Sequence, residues 1–102
     1  MSKFGLFGKF TVEEHQREEL VRILLEAAAS MQDLEECENY VVHTSAQDPR
    51  AVYVHEVWTS ENAHQASLQL EAAQTLIRHA KPIIKDVERV CPLIPQGGKG
   101  IS

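Results

Sequence analysis

The chain has 102 residues, of which 43% are hydrophobic and 25% are charged, and this is typical of a single globular domain rather than a disordered protein. Its formal net charge of -5 and the absence of any lysine or arginine run argue against a nucleic-acid or anionic-membrane partner, because phosphates need a basic surface. Two distant cysteines, and no apolar run near the roughly 20 residues that span a bilayer, predict a cytoplasmic protein without a membrane partner.

The first third of the chain predicts a strand followed by a helix. Residues Lys3 to Phe10 alternate loosely in hydrophobicity, and the glycines at positions 5 and 8 indicate that another segment approaches this strand closely. Thr11 and Glu14 have the spacing of a capping box, which predicts that the helix begins directly after Thr11. Apolar residues then recur every three or four positions, and we expect the helix to end within residues 33–36.

The middle of the chain predicts a β-hairpin. Asn39 to Thr44 is short and rich in β-branched and aromatic residues, and Ala51 to Trp58 has the strongest strand pattern in the chain. The segment between them, Ala46 to Arg50, has the composition of a turn. We therefore expect the two strands to pair in an antiparallel manner.

The last part of the chain predicts two helical segments and a final strand. Ser60 is a good N-cap for an alanine-rich helix that continues to Leu70, and a second helical segment covers residues 71–80. Pro82 interrupts the helical pattern, and Asp86 to Ile94 has a strand pattern that ends in prolines. The glycine-rich end predicts a mobile tail, so we expect one domain over residues 1–95 and a flexible tail over 96–102.

This order, βαββαβ, is typical of the α+β ferredoxin-like fold, in which helices cover one face of an antiparallel sheet. Because side chains alternate along a strand, Glu56 and Trp58 are predicted to face the helices, whereas Tyr53 and His55 face the other way. That second face is apolar enough to need a cover. We therefore predict a homodimer that is joined sheet to sheet.

Glu56 and Trp58 are the first candidates for a functional site. Trp58 can be a core aromatic at the end of a strand, with Glu56 in a hydrogen bond or ion pair to a helix residue. Alternatively, Trp58 forms the wall of a pocket for a planar aromatic substrate, and Glu56 orients a neighbouring donor. The sequence leaves both interpretations open.

The five histidines show neither HxxxH nor HxH spacing, so the sequence predicts no metal site. His15 and His79 fall on polar helix faces, where we expect them to be solvated. His43, on the second strand, is either a sheet-face residue or a base in the pocket. His64 lies near the start of the helix after Trp58, and it either reaches the mouth of a pocket or lies on the surface.

The sequence resembles the antibiotic biosynthesis monooxygenase family at five positions: Cys37 and Tyr40 in the second strand, Glu56 and Trp58 in the third, and Ala63 in the helix that follows. These are small, cofactor-independent oxygenases of the quinol-monooxygenase type. The resemblance covers nearly the whole chain. It implies a dimeric α+β barrel, with one substrate pocket per subunit between the sheet and the helices.

The resemblance also implies an activity, namely the oxidation of a quinol or polycyclic phenol, a small aromatic substrate, with dioxygen as co-substrate and no cofactor. Candidates for catalytic proton handling are His64, His43, Tyr40 and Glu56, and Trp58 would contact the substrate. Many family members carry a pocket histidine nine or ten residues after the tryptophan, where this chain has Ser67 and Leu68. These two residues become candidates for substrate binding, and His64 is the candidate to replace that histidine from one turn earlier.

Two alternatives follow from the same resemblance. The haem-degrading relatives use an asparagine on the first strand, and residues 4–8 of this chain contain none, so this activity is less expected. The other alternative is a non-catalytic small-molecule binding or stress-related protein, because one fold hosts many functions.

Overall fold

The computed structural model describes residues 2–101, so that Met1 and Ser102, the outer ends of the expected domain and tail, lie outside the described residues. In that range the elements follow in the order β1, α1, β2, β3, α2, α3, β4. The strands are β1 (Phe4–Val12), β2 (Cys37–Ser45), β3 (Asp48–Trp58) and β4 (Ile84–Leu93). The helices are α1 (Arg17–Ser30), α2 (Glu61–Ser67) and α3 (Glu71–Ala80).

The strands form one antiparallel sheet in the order β2-β3-β1-β4. This order, with the helices inserted after β1 and β3, confirms the predicted ferredoxin-like α+β fold. The hairpin of β2 and β3 is also confirmed, with Tyr40 directly opposite Glu56. Within residues 2–101 none of the helices has both the length and the apolar character needed to cross a membrane.

The core lies between the sheet and the helices. Leu20 and Leu24 of α1 pack with Val52 and Val54 of β3 in one buried cluster. Because Val52 and Val54 have the same parity as Glu56, the helix-facing side of β3 is the one that the two-residue period predicts. Burial of this apolar stripe is the main source of stability in a domain of this size.

The start of α1 is a correction to the predicted capping box. Thr11 belongs to β1, where it pairs with Ala51 on one side and Asp86 on the other. A short 3₁₀ turn over residues 14–16 follows, and α1 begins only at Arg17. Since β1 is a central strand, its backbone groups at Thr11 are used in sheet pairing, which competes successfully with a local cap. The helix also ends earlier than expected, at Ser30.

Gly5 shows why glycine is needed in β1. A methyl group on Gly5 would lie 3.1 Å from Leu93 Cβ and 3.4 Å from Pro95 Cγ. This confirms the predicted close approach at Gly5, but not at Gly8, where a methyl group would lie 3.8 Å from the Glu88 carbonyl oxygen, an ordinary contact distance. The approaching residues, Leu93 and Pro95, lie at the end of β4 and just after it. They cover one end of the sheet face that points away from the helices, which we call the bare face. Val57, the pairing partner of Gly5, is buried there.

Two further local predictions agree with the structure, whereas α2 ends at Ser67 instead of Leu70, and β3 begins at Asp48, within the predicted turn. The Ser60 hydroxyl accepts a hydrogen bond of 3.0 Å from the backbone N–H of Ala63, which confirms the N-cap of α2. Helix α3 ends at Ala80, two residues before Pro82, as expected for a helix that meets a proline. The proposed boundary between a domain at 1–95 and a tail at 96–102 stays a prediction.

Candidate functional site

A cavity of about 190 Å³ opens on the helix-facing side of the sheet, and we call it the site cavity. Strands β1, β3 and β4 form its floor, and α2 with the turn after it forms one wall. Its lining combines apolar side chains with four titratable groups, Glu56, His64, Glu88 and Arg89, and a mostly apolar lining with a few polar groups is usual for small-molecule sites. The lining includes Leu6, Phe10, Glu56, His64, Leu68 and Arg89.

Glu56 and Trp58 form a fixed pair beside this cavity. Both point to the same side of β3, and Trp58 Nε1 donates a hydrogen bond of 2.9 Å to Glu56 Oε1. Trp58 is only 1% exposed and lies outside the cavity lining. The structure therefore places the indole behind Glu56 as a support, rather than at the surface where a substrate would meet it.

His64 is buried between two aromatic rings, with 5% of its surface exposed. Its ring lies 5.3 Å from that of Phe4 and 5.6 Å from that of Trp58, in a T-shaped arrangement with the indole. Of the two possibilities that the sequence left open for His64, a place at a pocket or a place on the surface, the structure agrees with the first, because His64 is buried and lines the cavity. Its Nδ1 atom is buried and has no hydrogen-bond partner among the residues that the structure describes.

The environment keeps His64 neutral. Burial lowers the pKa of His64, and the positive charge of Arg89 lowers it further, while Glu61 acts in the opposite direction. His64 Nε2 lies 3.9 Å from Glu56 Oε1, which is beyond hydrogen-bond distance. A neutral imidazole in this position can accept a proton.

The environment also changes the pKa of Glu56. Burial raises the pKa of Glu56, and the Trp58 N–H group and Arg89 partly oppose this effect by stabilising the carboxylate. The pKa of Glu56 is therefore raised and that of His64 is lowered, so that the two values move toward each other. Such pairs are frequent where proton transfer takes place.

Arg89 is a cavity residue that the sequence did not indicate, and a bulge explains why. Along β4, Leu93 pairs with Gly5 and Cys91 with Phe7, so strict alternation would put Arg89 on the bare face as well. The register shifts between Phe7 and Gly8, and Arg89 pairs with Gly8 instead. The extra residue turns Arg89 toward the helix-facing side, a common use of bulges near functional sites.

The remaining predicted site residues are not all brought to this cavity. Leu68 lines it, whereas Ser67 is buried on the other side of α2, where its hydroxyl donates a 2.6 Å hydrogen bond to the His64 carbonyl. His43 pairs with Tyr53 on the opposite face of the sheet and is exposed. The expectation that His15 and His79 are solvated is confirmed, since both are exposed.

Tyr40 lies next to Glu56 on the helix-facing side, but it lines a separate groove together with Cys37. Burial, followed by the nearby charges of Glu56 and Cys37, raises the pKa of Tyr40 well above its usual range. Burial also raises the pKa of the Cys37 thiol to about 11. Both groups therefore stay protonated near neutral pH, so neither the Tyr40 phenolate nor the Cys37 thiolate forms there as a base.

A larger groove, of about 330 Å³, separates α1 from α3. Its titratable residues, Glu26, Glu71 and His79, are all exposed to solvent. The site cavity is smaller, but it contains the buried His64 and the mostly buried Glu56, and it is the better candidate for chemistry. Among the residues that the structure describes, no three His, Cys, Asp or Glu side chains come together in a way that could hold a metal ion.

Comparison with known proteins identifies relatives along the whole chain. The family profile described as Antibiotic biosynthesis monooxygenase matches residues 4–79. A crystal structure of that description from Chloroflexus aurantiacus J-10-fl is 39% identical, with a TM-score of 0.89, and the match covers 99% of this chain and 100% of the other. A search of curated proteins finds no match.

More distant structures share the fold. A protein of the same description from Deinococcus radiodurans has a TM-score of 0.77 at 18% identity, over 97% of this chain and 96% of its own. A protein from Pseudomonas aeruginosa has a TM-score of 0.83 at 20% identity, over 95% of this chain and 97% of its own. The profile match and the 39% identical structure show that this chain belongs to the antibiotic biosynthesis monooxygenase family.

Proposed function

We propose that this protein is a cofactor-independent monooxygenase that oxidises a quinol or polycyclic phenol with dioxygen. The observation that carries the proposal is the group of His64, Glu56 and Arg89 around one partly apolar cavity, in a chain of this family. The group offers two proton acceptors and one fixed positive charge. A proton acceptor promotes formation of the phenolate, and a positive charge stabilises it, so that this combination favours direct reaction with dioxygen.

The proposed reaction starts with proton transfer from the substrate hydroxyl to a base in the cavity. The resulting anion is electron-rich, and it supplies all of the electrons that reduce dioxygen. One oxygen atom forms a bond to a ring carbon, and the other leaves as water with the two hydrogens that the substrate loses. An apolar cavity favours this reaction, because the anion is held by fixed protein charges instead of water.

We assign the role of base to His64, because a neutral imidazole can take the substrate proton. Arg89 would stabilise the phenolate and the negative charge that develops on oxygen. Glu56 would accept a hydrogen bond from a second substrate hydroxyl, and Leu68 would contact the ring. Trp58 acts through Glu56 and is a positioning residue in this scheme.

The test of the proposal is dioxygen consumption by metal-free protein with a panel of hydroquinones and naphthoquinols, corrected for autoxidation. Catalysed uptake with formation of one hydroxylated quinone per dioxygen is the expected result. Hydrogen peroxide in place of the hydroxylated product would identify an oxidase instead. Binding of the panel without any uptake would favour the alternative, a small-molecule binding protein of the same fold.

Replacing Trp58 with phenylalanine is expected to move the acid limb of the pH profile of kcat/KM to higher pH. The change removes the N–H donor that stabilises the Glu56 carboxylate, so the pKa of Glu56 rises further and the carboxylate forms only at higher pH. The measurement is kcat/KM across the pH range, normalised to the folded fraction. A merely structural role of Trp58 would lower the rate and leave the limb in place.

We also propose a homodimer formed through the bare face of the sheet. Phe7 and Tyr53 stack on this face with ring centroids 5.9 Å apart, and Val41 on β2 is exposed beside them. An apolar patch of this kind favours association with a second sheet. Leu93 and Pro95 cover the region around Gly5, whereas Val41 on the same face is exposed to a partner.

The variant Val41→Glu is expected to shift the dimer toward monomer, because it places a carboxylate in the apolar interface. Sedimentation velocity over a concentration series measures this shift. Leu25→Glu is the matched control, since Leu25 is equally apolar and exposed but lies on α1, on the opposite side of the sheet. A monomeric wild-type protein at micromolar concentration would overturn the proposal.

A further inference from the structure

A second cavity, of about 290 Å³, lies beside the site cavity, and we call it the apolar groove. Phe10 and Val87 line both cavities, so the two spaces adjoin at these side chains. From there the groove follows the junction of α3 and β4. Its other walls are formed by Leu76, Ile77, Ala80 and Ile84.

The two cavities differ in their chemistry. The site cavity contains His64, Glu56 and Arg89, whereas the groove is apolar along its length. Among the described residues that line the groove, Lys81 alone is charged. Ile77 is 42% exposed at its rim, and Val87, where the two cavities adjoin, is also exposed. A ligand that covers both spaces would therefore have one polar, aromatic end and one aliphatic end.

Size favours a ligand that uses both spaces. The site cavity, at about 190 Å³, is smaller than the roughly 300–1,000 Å³ that is usual for small-molecule sites. We propose that the substrate carries an aliphatic chain on its aromatic ring, and that this chain lies in the apolar groove past Phe10 and Val87. The inference rests on the proposed function for the identity of the ring, but the groove itself can be tested by binding alone.

The experiment compares two oxidised ligands, a naphthoquinone and the same naphthoquinone with a pentyl chain, by calorimetric titration of the 102-residue protein. Burial of an aliphatic chain contributes roughly fourfold in affinity for each methylene. We expect the pentyl compound to bind at least about tenfold more tightly, with a more negative heat-capacity change. Because the ligands are already oxidised, the result does not depend on turnover.

Variants of residues that line the groove test whether the pentyl chain gains its affinity there. Ile77→Glu is expected to remove most of the gain in affinity and to leave binding of the unsubstituted naphthoquinone unchanged. Ile77→Ala keeps the helix propensity of α3 and should remove a smaller part of the gain. Leu25→Glu on α1 is the matched control and should retain the full gain.

Several results would overturn the inference. Equal affinity of the two ligands for the wild-type protein would mean that no chain lies in the groove. An equal loss for both ligands in Ile77→Glu would mean that Ile77 does not act on the chain. A change of oligomeric state in Ile77→Glu, without any change in the gain, would assign the groove to a second copy of the protein. Chain-dependent binding of the quinones, together with no dioxygen uptake when the corresponding quinols are supplied, would refute the monooxygenase proposal and leave the groove assignment standing.

Discussion

Replacing His64 with alanine is expected to lower kcat for naphthoquinol oxidation by about two to four orders of magnitude, the usual contribution of a positioned base. His64 is buried, neutral and part of the cavity lining, and it is held between the rings of Phe4 and Trp58. Its removal leaves the substrate without the proposed base. The measurement is steady-state dioxygen uptake at saturating substrate, with folding checked by thermal unfolding.

The control for this variant is His15→Ala, which removes an exposed histidine from the 3₁₀ turn before α1 and should leave kcat unchanged. Added imidazole should restore part of the activity of His64→Ala, because the lost side chain leaves space for it beside the cavity. Restored activity would separate a chemical role from a packing role. Wild-type kcat in His64→Ala would exclude His64 as the base and direct attention to Glu56.

Replacing Leu24 with alanine is expected to lower the free energy of unfolding by about 2–5 kcal/mol. Leu24 is 2% exposed and belongs to the cluster that joins α1 to β3. The truncation removes buried methyl groups and leaves a cavity that the surrounding side chains fill only in part. Urea denaturation measures the change, provided that the transition midpoint and its slope are both determined.

The neighbouring residue provides the control. Leu25 is 52% exposed on the other side of α1, so Leu25→Ala should change the free energy of unfolding by no more than about 0.5 kcal/mol. The two variants delete the same atoms from adjacent positions of one helix. Similar losses in both would contradict the assignment of the core to one face of α1.

The fold was largely predictable from the sequence, because periodicity reports burial directly. The alternation along β3 placed Val52, Val54 and Glu56 on one face, and the pairing in the structure agrees. The cap at Ser60 depends on contacts within one turn of helix, and it was also predictable. The predicted cap at Thr11 was wrong, because β1 extends through Thr11 and pairs there with β3 and β4, which are distant in sequence.

The candidate site was predictable only in part. Glu56 and Trp58 are two residues apart on one strand, so their common orientation follows from the strand period. Which of His43 and His64 lines the cavity depends on how α2 packs on the sheet. No local sequence pattern gives the relative position of these two elements. Arg89 was missed because the bulge opposite Phe7 and Gly8 reverses its direction.

The sequence by itself therefore determined the order of the elements, the side of β3 that faces the helices and the family to which its landmarks point. These follow from local periodicity and from residues that are close in the chain. Only the tertiary structure decided that His64, Glu56 and Arg89 share one cavity, and that Trp58 supports Glu56 from behind. The reason is that packing of α2 on the sheet and the register shift between β1 and β4 depend on contacts between residues that are far apart in the chain.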